Sequence, residues 1–338
     1  MVFSVIIAGC GSSILGPDPP DDPESIFEEF WDSYDRYYAH FELKDIDWDE
    51  VYEEHRPRVG PETTDEELFE VLADMLDVLQ DGHVYLVAPD RRAFSDRALR
   101  TRRSTFDAQV VQDNYLDEHN PESDDRRLVY GRVTDRVGYI RLSTLSGGQG
   151  RGDDVTGWIE EFDEAVDALM DKDGLILDLR NNGGGRATNS KFIASRFATE
   201  RRPFLQTRSR SGPDHGDFSR PRRWYVEPRQ STFEAPLVVL TNRNTFSAAE
   251  WLTLALRQFD HTIHMGTQTG GGLAMFLPRQ LPNGWMYTIS VQDTRDARGR
   301  SYERIGVAPQ LHLQNGTDDL DEGRDRMIEE AVEYLQLQ

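Results

Sequence analysis

Residues 235–256 read APLVVLTNRNTFSAAEWLTLAL. The run PLVVL is short, apolar and rich in β-branched residues, as a strand buried on both faces must be. NRNT is polar and turn-prone. From Ser247 the pattern becomes helical, with Leu252, Ala255, Leu256 and Phe259 on one face. Glu250 follows Ser247 by three positions, the spacing of a capping box. In that motif the hydroxyl accepts the N–H of Glu250 and the carboxylate reaches back to the N–H of Ser247. The same position suits a nucleophile, because a helix N-terminus offers free N–H groups and a positive dipole end to a developing negative charge. These residues alone leave both roles open.

A second strand, loop and helix stands upstream. GLILDLR (174–180) is another buried-strand run; it ends in NNGGG, and RATNSKFIASRFA then reads as a helix. Strand and helix alternate from residue 137 onward, which implies an α/β layer structure. In such sheets the carboxyl ends of the strands carry the sites. Gly183, Gly184 and Gly185 allow backbone N–H groups to face a ligand without obstruction. The loop has neither G-x-x-x-x-G-K-[ST] nor G-x-G-x-x-G, which argues against a nucleotide site and for an oxyanion hole.

Residues 24–82 read as a helical N-terminal subdomain. ESIFEEFWDSYDRYYAHF places Phe27, Phe30, Trp31, Tyr34, Tyr37 and Tyr38 at helical spacing; a short helix ends at Pro57, and TTDEELFEVLADMLDVL is capped by Thr63 or Thr64. DGHVYLVAP then turns into a strand. Residues 83–338 form the α/β domain, with a charged, irregular insert at about 91–126. GGLAMFL is expected to be extended, and a last helix begins near Asp319.

The chain has 338 residues and a formal net charge of −23, with 37% hydrophobic residues. It is globular, and so acidic a surface argues against nucleic acid as a partner. Of 38 basic residues only Lys44, Lys172 and Lys191 are lysines. The single cysteine, Cys10, allows no disulfide within the chain. It lies in VIIAGCGSS, where IAGC resembles the lipobox of bacterial lipoproteins. A polar, proline-rich stretch to residue 23 follows as a tether, so residues 1–23 read as a leader lipidated at Cys10 in the cell envelope. No later segment has the apolarity of a membrane span. The eight histidines show no H-E-x-x-H or similar metal spacing. No metal or other cofactor is expected. Histidines open to a base role are His83, His261 and His264.

LQDGHVYL, VGYIRL, GLILDLRNNGGG, PLVVLTNRNTFSAAEWLTLAL, GTQTGGG and YERIGVAP occur in the order seen in the C-terminal processing (tail-specific) peptidases. They resemble most the tricorn-like branch, which shares a domain with the interphotoreceptor retinoid-binding proteins. The resemblance runs from about residue 24 onward. It implies a ClpP/crotonase-type α/β catalytic domain and serine endopeptidase activity on peptides or proteins. By it, Ser247 is the nucleophile, His83 the base and Glu303 the residue that orients the base. Ala248 and Gly184 would supply the oxyanion-hole N–H groups, with Gly183 and Gly185 supporting. The family's lysine motif, T-x-G-K-G, corresponds here to a stretch without lysine. Gly82 stands where tricorn has a serine beside its histidine, and Gln310 where an aspartate is usual. No PDZ-like segment of normal length separates His83 from Tyr139. Retinoid-binding relatives keep the fold without being known for proteolysis, so a binding protein is the rival expectation. An esterase-like acyl hydrolase is a third; the absence of G-x-S-x-G argues against an α/β-hydrolase.

Overall fold

The computed structural model describes residues 20–100, 104–117, 127–147, 156–229 and 231–338. Cys10 and its leader, and parts of the charged insert, lie outside the described residues. In chain order the strands are β1 (Tyr85–Val87), β2 (Arg92–Phe94), β3 (Leu128–Arg132), β4 (Val137–Leu142), β5 (Gly174–Asp178), β6 (Arg202–Ser209) and β7 (Arg222–Val226). They continue with β8 (Leu237–Thr241), β9 (Thr262–Gly266), β10 (Phe276–Gln280), β11 (Met286–Ser290), β12 (Gln292–Asp296) and β13 (Leu311–His312). They belong to two compact units.

The first unit comprises the residues up to Asp96, Arg210–Phe218 and Met275–Gln292. Its helices are those the apolar spacing implies. Pro23–Tyr37 starts at Pro23, whose missing N–H costs nothing there, and Asp22 Oδ1 accepts Ser25 N–H at 3.0 Å. Thr64 and Glu67 form a reciprocal capping box on Asp65–Leu79. Phe27, Phe30, Tyr34 and Tyr38 of the aromatic stripe are buried with Trp48, Leu72, Leu76 and Tyr287, whereas Tyr37 is exposed. Below the helices lies an antiparallel sheet in the order β10-β11-β1-β2. A boundary at residue 82 therefore cuts through this unit. The strand after His83 pairs with β11, so residues 83–96 and the 275–292 segment stay with the helices.

The second unit carries the α/β layers. Its six-stranded sheet has the order β13-β9-β8-β5-β4-β3; all neighbours are parallel except β3, which is antiparallel to β4. β5 and β8 are buried at every residue, as their unbroken apolar runs require. Leu175, Leu177, Leu237 and Val239 point into one core, with the helices Ala187–Ser195 and Ala248–Leu256. Ile176, Val238 and Leu240 point the other way, to the helix Arg326–Gln336. A short helix, Thr317–Asp321, does cover Asp319, but the last helix is separate and starts later, because Asp325 is its cap and accepts the N–H groups of Met327 and Ile328. Asp325 also meets the buried Arg180 at 2.8 Å, and Arg180 meets Asp178 at 2.6 Å. The insert near 91–126 holds β2 and the short helices Arg97–Arg100 and Ala108–Tyr115. The strand expected in GGLAMFL begins only at Phe276.

Candidate active site

The loops after β5 and β8 are bolted together by their asparagines. Asn242 Oδ1 accepts the N–H groups of Asn181 and Asn244, both at 3.0 Å. Thr245 donates its hydroxyl to Leu179 O at 2.8 Å, and Phe246 N–H donates to Asn182 O at 2.9 Å. The two motifs quoted from the sequence thus form one wall.

On that wall Ser247 has φ 57° and ψ −124°. A non-glycine residue rarely adopts such a conformation, at a cost of order 1–3 kcal/mol, and sites of this kind cluster where function requires them. The strain also alters the expected capping box. An N-cap is normally extended, which aims its hydroxyl at the third N–H of the helix. Here Glu250 N–H donates to the backbone oxygen of Ser247 at 2.9 Å, and the hydroxyl makes no cap hydrogen bond. The other half of the box is present: Ser247 N–H donates to Glu250 Oε2 at 3.0 Å.

Ala248 opens the helix, so its N–H has no intrahelical partner, and no described residue accepts from it. Gly184 has φ +92°, and a Cβ built on it would lie 2.6 Å from Phe246 O, 2.7 Å from Ser247 Cβ and 2.8 Å from Ala248 N. The glycine loop therefore touches the Ser247 turn directly. Gly184 N–H, expected in an oxyanion hole, instead donates to Asn182 Oδ1 at 2.9 Å, an Asx turn within the loop. Gly183 and Gly185 are exposed, and no described residue accepts from their N–H groups.

Glu250 is fully buried and gathers four donors. Oε1 accepts the Thr269 hydroxyl at 2.6 Å and Gly271 N–H at 2.8 Å; Oε2 accepts Gly272 N–H at 2.9 Å besides that of Ser247. Burial raises its pKa, the Thr269 hydroxyl and the N–H groups of Gly272 and Gly271 oppose the rise and Glu303 adds to it, leaving a value of about 7. Leu273 N–H, next in line, donates to Oε2 of the buried Glu303 at 3.1 Å. These bonds are why residues 269–274 form a buried loop instead of the start of a strand. The sequence displayed the Ser-x-x-Glu spacing and the three glycines, but not that one serves the other.

With Thr269 as the threonine of T-x-G-K-G, the lysine falls on Gly272. A Cβ there would lie 2.0 Å from Phe246 Cζ. The phenylalanine ring fills the space a lysine at this position would enter.

The histidines of this unit differ in their access to the site. His264 is buried in mid-β9 with Nε2 2.7 Å from Thr241 Oγ1, and burial followed by Arg257 lowers its pKa to about 3. His261 precedes β9 at the end where Leu237 begins β8. That is the opposite edge of a parallel sheet from Ser247.

His83 belongs to the first unit, and its backbone is fixed on both sides. Its N–H donates to Asp81 Oδ1 at 2.9 Å, and its carbonyl accepts the Thr288 hydroxyl at 2.6 Å. Its ring stacks on Phe276, with centroids 5.3 Å apart. Asp81 is buried and also meets the Tyr38 hydroxyl at 3.0 Å and Lys44 Nζ at 3.3 Å. Burial pushes the Asp81 carboxyl up, but Lys44 and then His40 hold it well below its ordinary value. Asp81, two residues before the histidine in QDGH, escaped the sequence reading.

A model of peptidase family S41 matches residues 136–313, more than half the chain. The chain belongs to peptidase family S41. A tricorn protease C1 domain model matches residues 19–77. Among relatives, the tricorn protease of Thermoplasma volcanium is 24% identical over 69% of the chain and 20% of its own length. A carboxyl-terminal-processing protease of Picosynechococcus sp. is 29% identical over 63% of the chain and 44% of its own length. The chain thus spans less than half the length of these curated relatives. Among solved structures, a candidate peptidase from Parabacteroides merdae superposes with a TM-score of 0.82 at 29% identity, covering 94% of this chain and 97% of the other. Membership of family S41 agrees with the α/β class and the helical N-terminal part expected from the sequence.

Proposed function

We propose that this S41 chain is a serine endopeptidase that cleaves peptides or proteins through an acyl-enzyme on Ser247. The observation that carries the reading is the strained Ser247 at a helix start, with the glycine loop pressed against its turn.

A serine hydroxyl attacks only when a base takes its proton. We assign that role to His83, with Glu303 accepting from its second nitrogen. Supporting this are the position of the histidine in the resemblance, the locked His264, the remote His261 and the ring that blocks a lysine at residue 272. In the first step Ser247 Oγ bonds to the carbonyl carbon of the scissile peptide and its proton passes to the imidazole. The carbonyl oxygen becomes an oxyanion, stabilised by Ala248 N–H and by an N–H of Gly183 or Gly185. The imidazolium then protonates the leaving amine. Water, deprotonated by the same imidazole, releases the acyl group.

Labelling with a fluorophosphonate, followed by mapping of the adduct, tests the reading. It is supported by modification of Ser247 that is lost in Ser247→Ala, together with cleavage of a peptide pool by the parent only. It fails if Ser247→Ala cleaves at the parent rate.

The proposed address is the cell envelope, with lipid on Cys10 as the anchor. Among the described residues no helix is long and apolar enough to cross a membrane. Detergent phase partitioning of the full chain and of Cys10→Ser checks the anchor; equal partitioning of the two into the aqueous phase would refute it.

A further inference from the structure

We propose that Glu250 is the positioning residue of the site, a carboxylate clamp that sets the Ser247 turn and the Glu303 carboxylate in register. This inference rests on the serine peptidase reading.

Three successive N–H groups, those of Gly271, Gly272 and Leu273, are delivered to two carboxylates: the first two to Glu250, the third to Glu303. Glu250 in turn accepts the N–H of the nucleophile itself. The path from Ser247 to Glu303 therefore runs through one buried side chain and one peptide step, all within the second unit. Thr269 closes the frame from the other side. Its hydroxyl donates to Glu250 at 2.6 Å and accepts Val307 N–H at 2.7 Å, while Arg304 N–H donates to Gly271 O at 2.7 Å. The segment that carries Glu303 is thus held to the same loop at three points. A helix N-terminus alone would not need this arrangement: an ordinary capping box engages one backbone N–H with its glutamate. Here the carboxylate accepts the capping N–H and three further donors from a distant loop. The lysine position of the T-x-G-K-G motif has become a donor to this clamp, since Gly272 offers only its N–H.

A carboxylate can accept four hydrogen bonds at its two oxygens, but an amide cannot, because its NH2 group meets donors with a donor. Glu250→Gln keeps shape and volume and breaks that match. The expected result is a fall in kcat of about a hundredfold per active site titrated with fluorophosphonate, with KM changed less than about threefold, as for a misplaced reacting group. Glu250→Asp should not restore the rate, because its carboxylate stands one methylene short of the loop donors. Should Glu250→Gln fail to fold, Thr269→Val and Thr269→Ser carry the test. The valine variant removes a donor and should lose about tenfold in kcat, and the serine variant should retain the parent rate. A kcat per titrated site equal to the parent in Glu250→Gln, or equal rates in the two Thr269 variants, overturns the inference. Labelling separates the two levels. If the parent labels at Ser247 and Glu250→Gln turns over normally, only the clamp fails; if the parent does not label at Ser247, the functional reading fails first.

Discussion

The backbone of Gly184 lies so close to Ser247 that a Cβ on the glycine would stand 2.7 Å from the Cβ of the serine. Two loops 63 residues apart in the chain thus share one surface, and the shape of the serine's turn depends on what residue 184 lacks.

Gly184→Ala is therefore expected to damage the site more than the fold. The added carbon meets backbone atoms, which cannot rotate away, and φ +92° disfavours any L side chain. Stability should fall by about 1–3 kcal/mol and kcat by a hundredfold or more. Urea unfolding and single-turnover hydrolysis measure the two separately. A variant with parent kcat would show that the contact is incidental.

Gly272→Lys tests why no lysine stands at this position. The side chain must displace Phe246, and overpacking of this sort costs about 1–3 kcal/mol. A lowered Tm is expected, with recovery when Phe246→Ala is added. A single variant that melts with the parent would mean that the ring does not fill the space.

Much of this frame was legible in the sequence, for stated physical reasons. PLVVL and GLILDLR announced strands buried on both faces, and β8 and β5 are that. Ser247 and Glu250 announced half of a capping box correctly. Spacing does not reveal φ, so the strained entry of Ser247 into the helix, at 57°, was not legible. Gly184 suggested an oxyanion donor, but a short-range Asx turn claims its N–H. Partners far along the chain were out of reach of any local pattern. Asp325 lies 145 residues from Arg180, and Thr288 lies 205 residues from His83. The break between the short helix at Asp319 and the last helix was missed for the same reason: Asp325 serves as cap and counter-ion at once.

Asp325→Ala should cost about 3–5 kcal/mol, because Arg180 is fully buried and loses one of its two carboxylates. Asp325→Asn retains an oxygen to cap Met327 and Ile328, so it separates the cap from the charge. Most of the loss is expected to remain in the asparagine variant. Chemical denaturation of both decides, and an asparagine variant as stable as the parent would assign Asp325 to capping alone.

Glu250 should leave a pH signature on stability. Its folded pKa, about 7, exceeds its ordinary value of 4.5. Burial outweighs the donors, so the folded state holds the proton more tightly, and the carboxylate that accepts all four donors is the form that prevails above about pH 7. The resulting stabilisation is full below the unfolded pKa and is lost as pH rises through the folded one. Glu303 is the titratable group that faces it from the adjoining loop and raises it further. Between pH 4.5 and 8 the parent should lose about 3 kcal/mol relative to Glu250→Gln. Unfolding free energies of the two proteins that run parallel across this range would contradict the expectation.

The central claim, that Ser247 is acylated with His83 as its base, is tested most directly by rapid-quench mass spectrometry during turnover of an activated peptide ester. The expected result is a transient acyl adduct on Ser247 in the parent, with none in Ser247→Ala. In His83→Ala the adduct should form several orders of magnitude more slowly, at a rate that no longer depends on pH through the histidine range. An adduct that forms at the parent rate in His83→Ala, or on any residue other than Ser247, would contradict it.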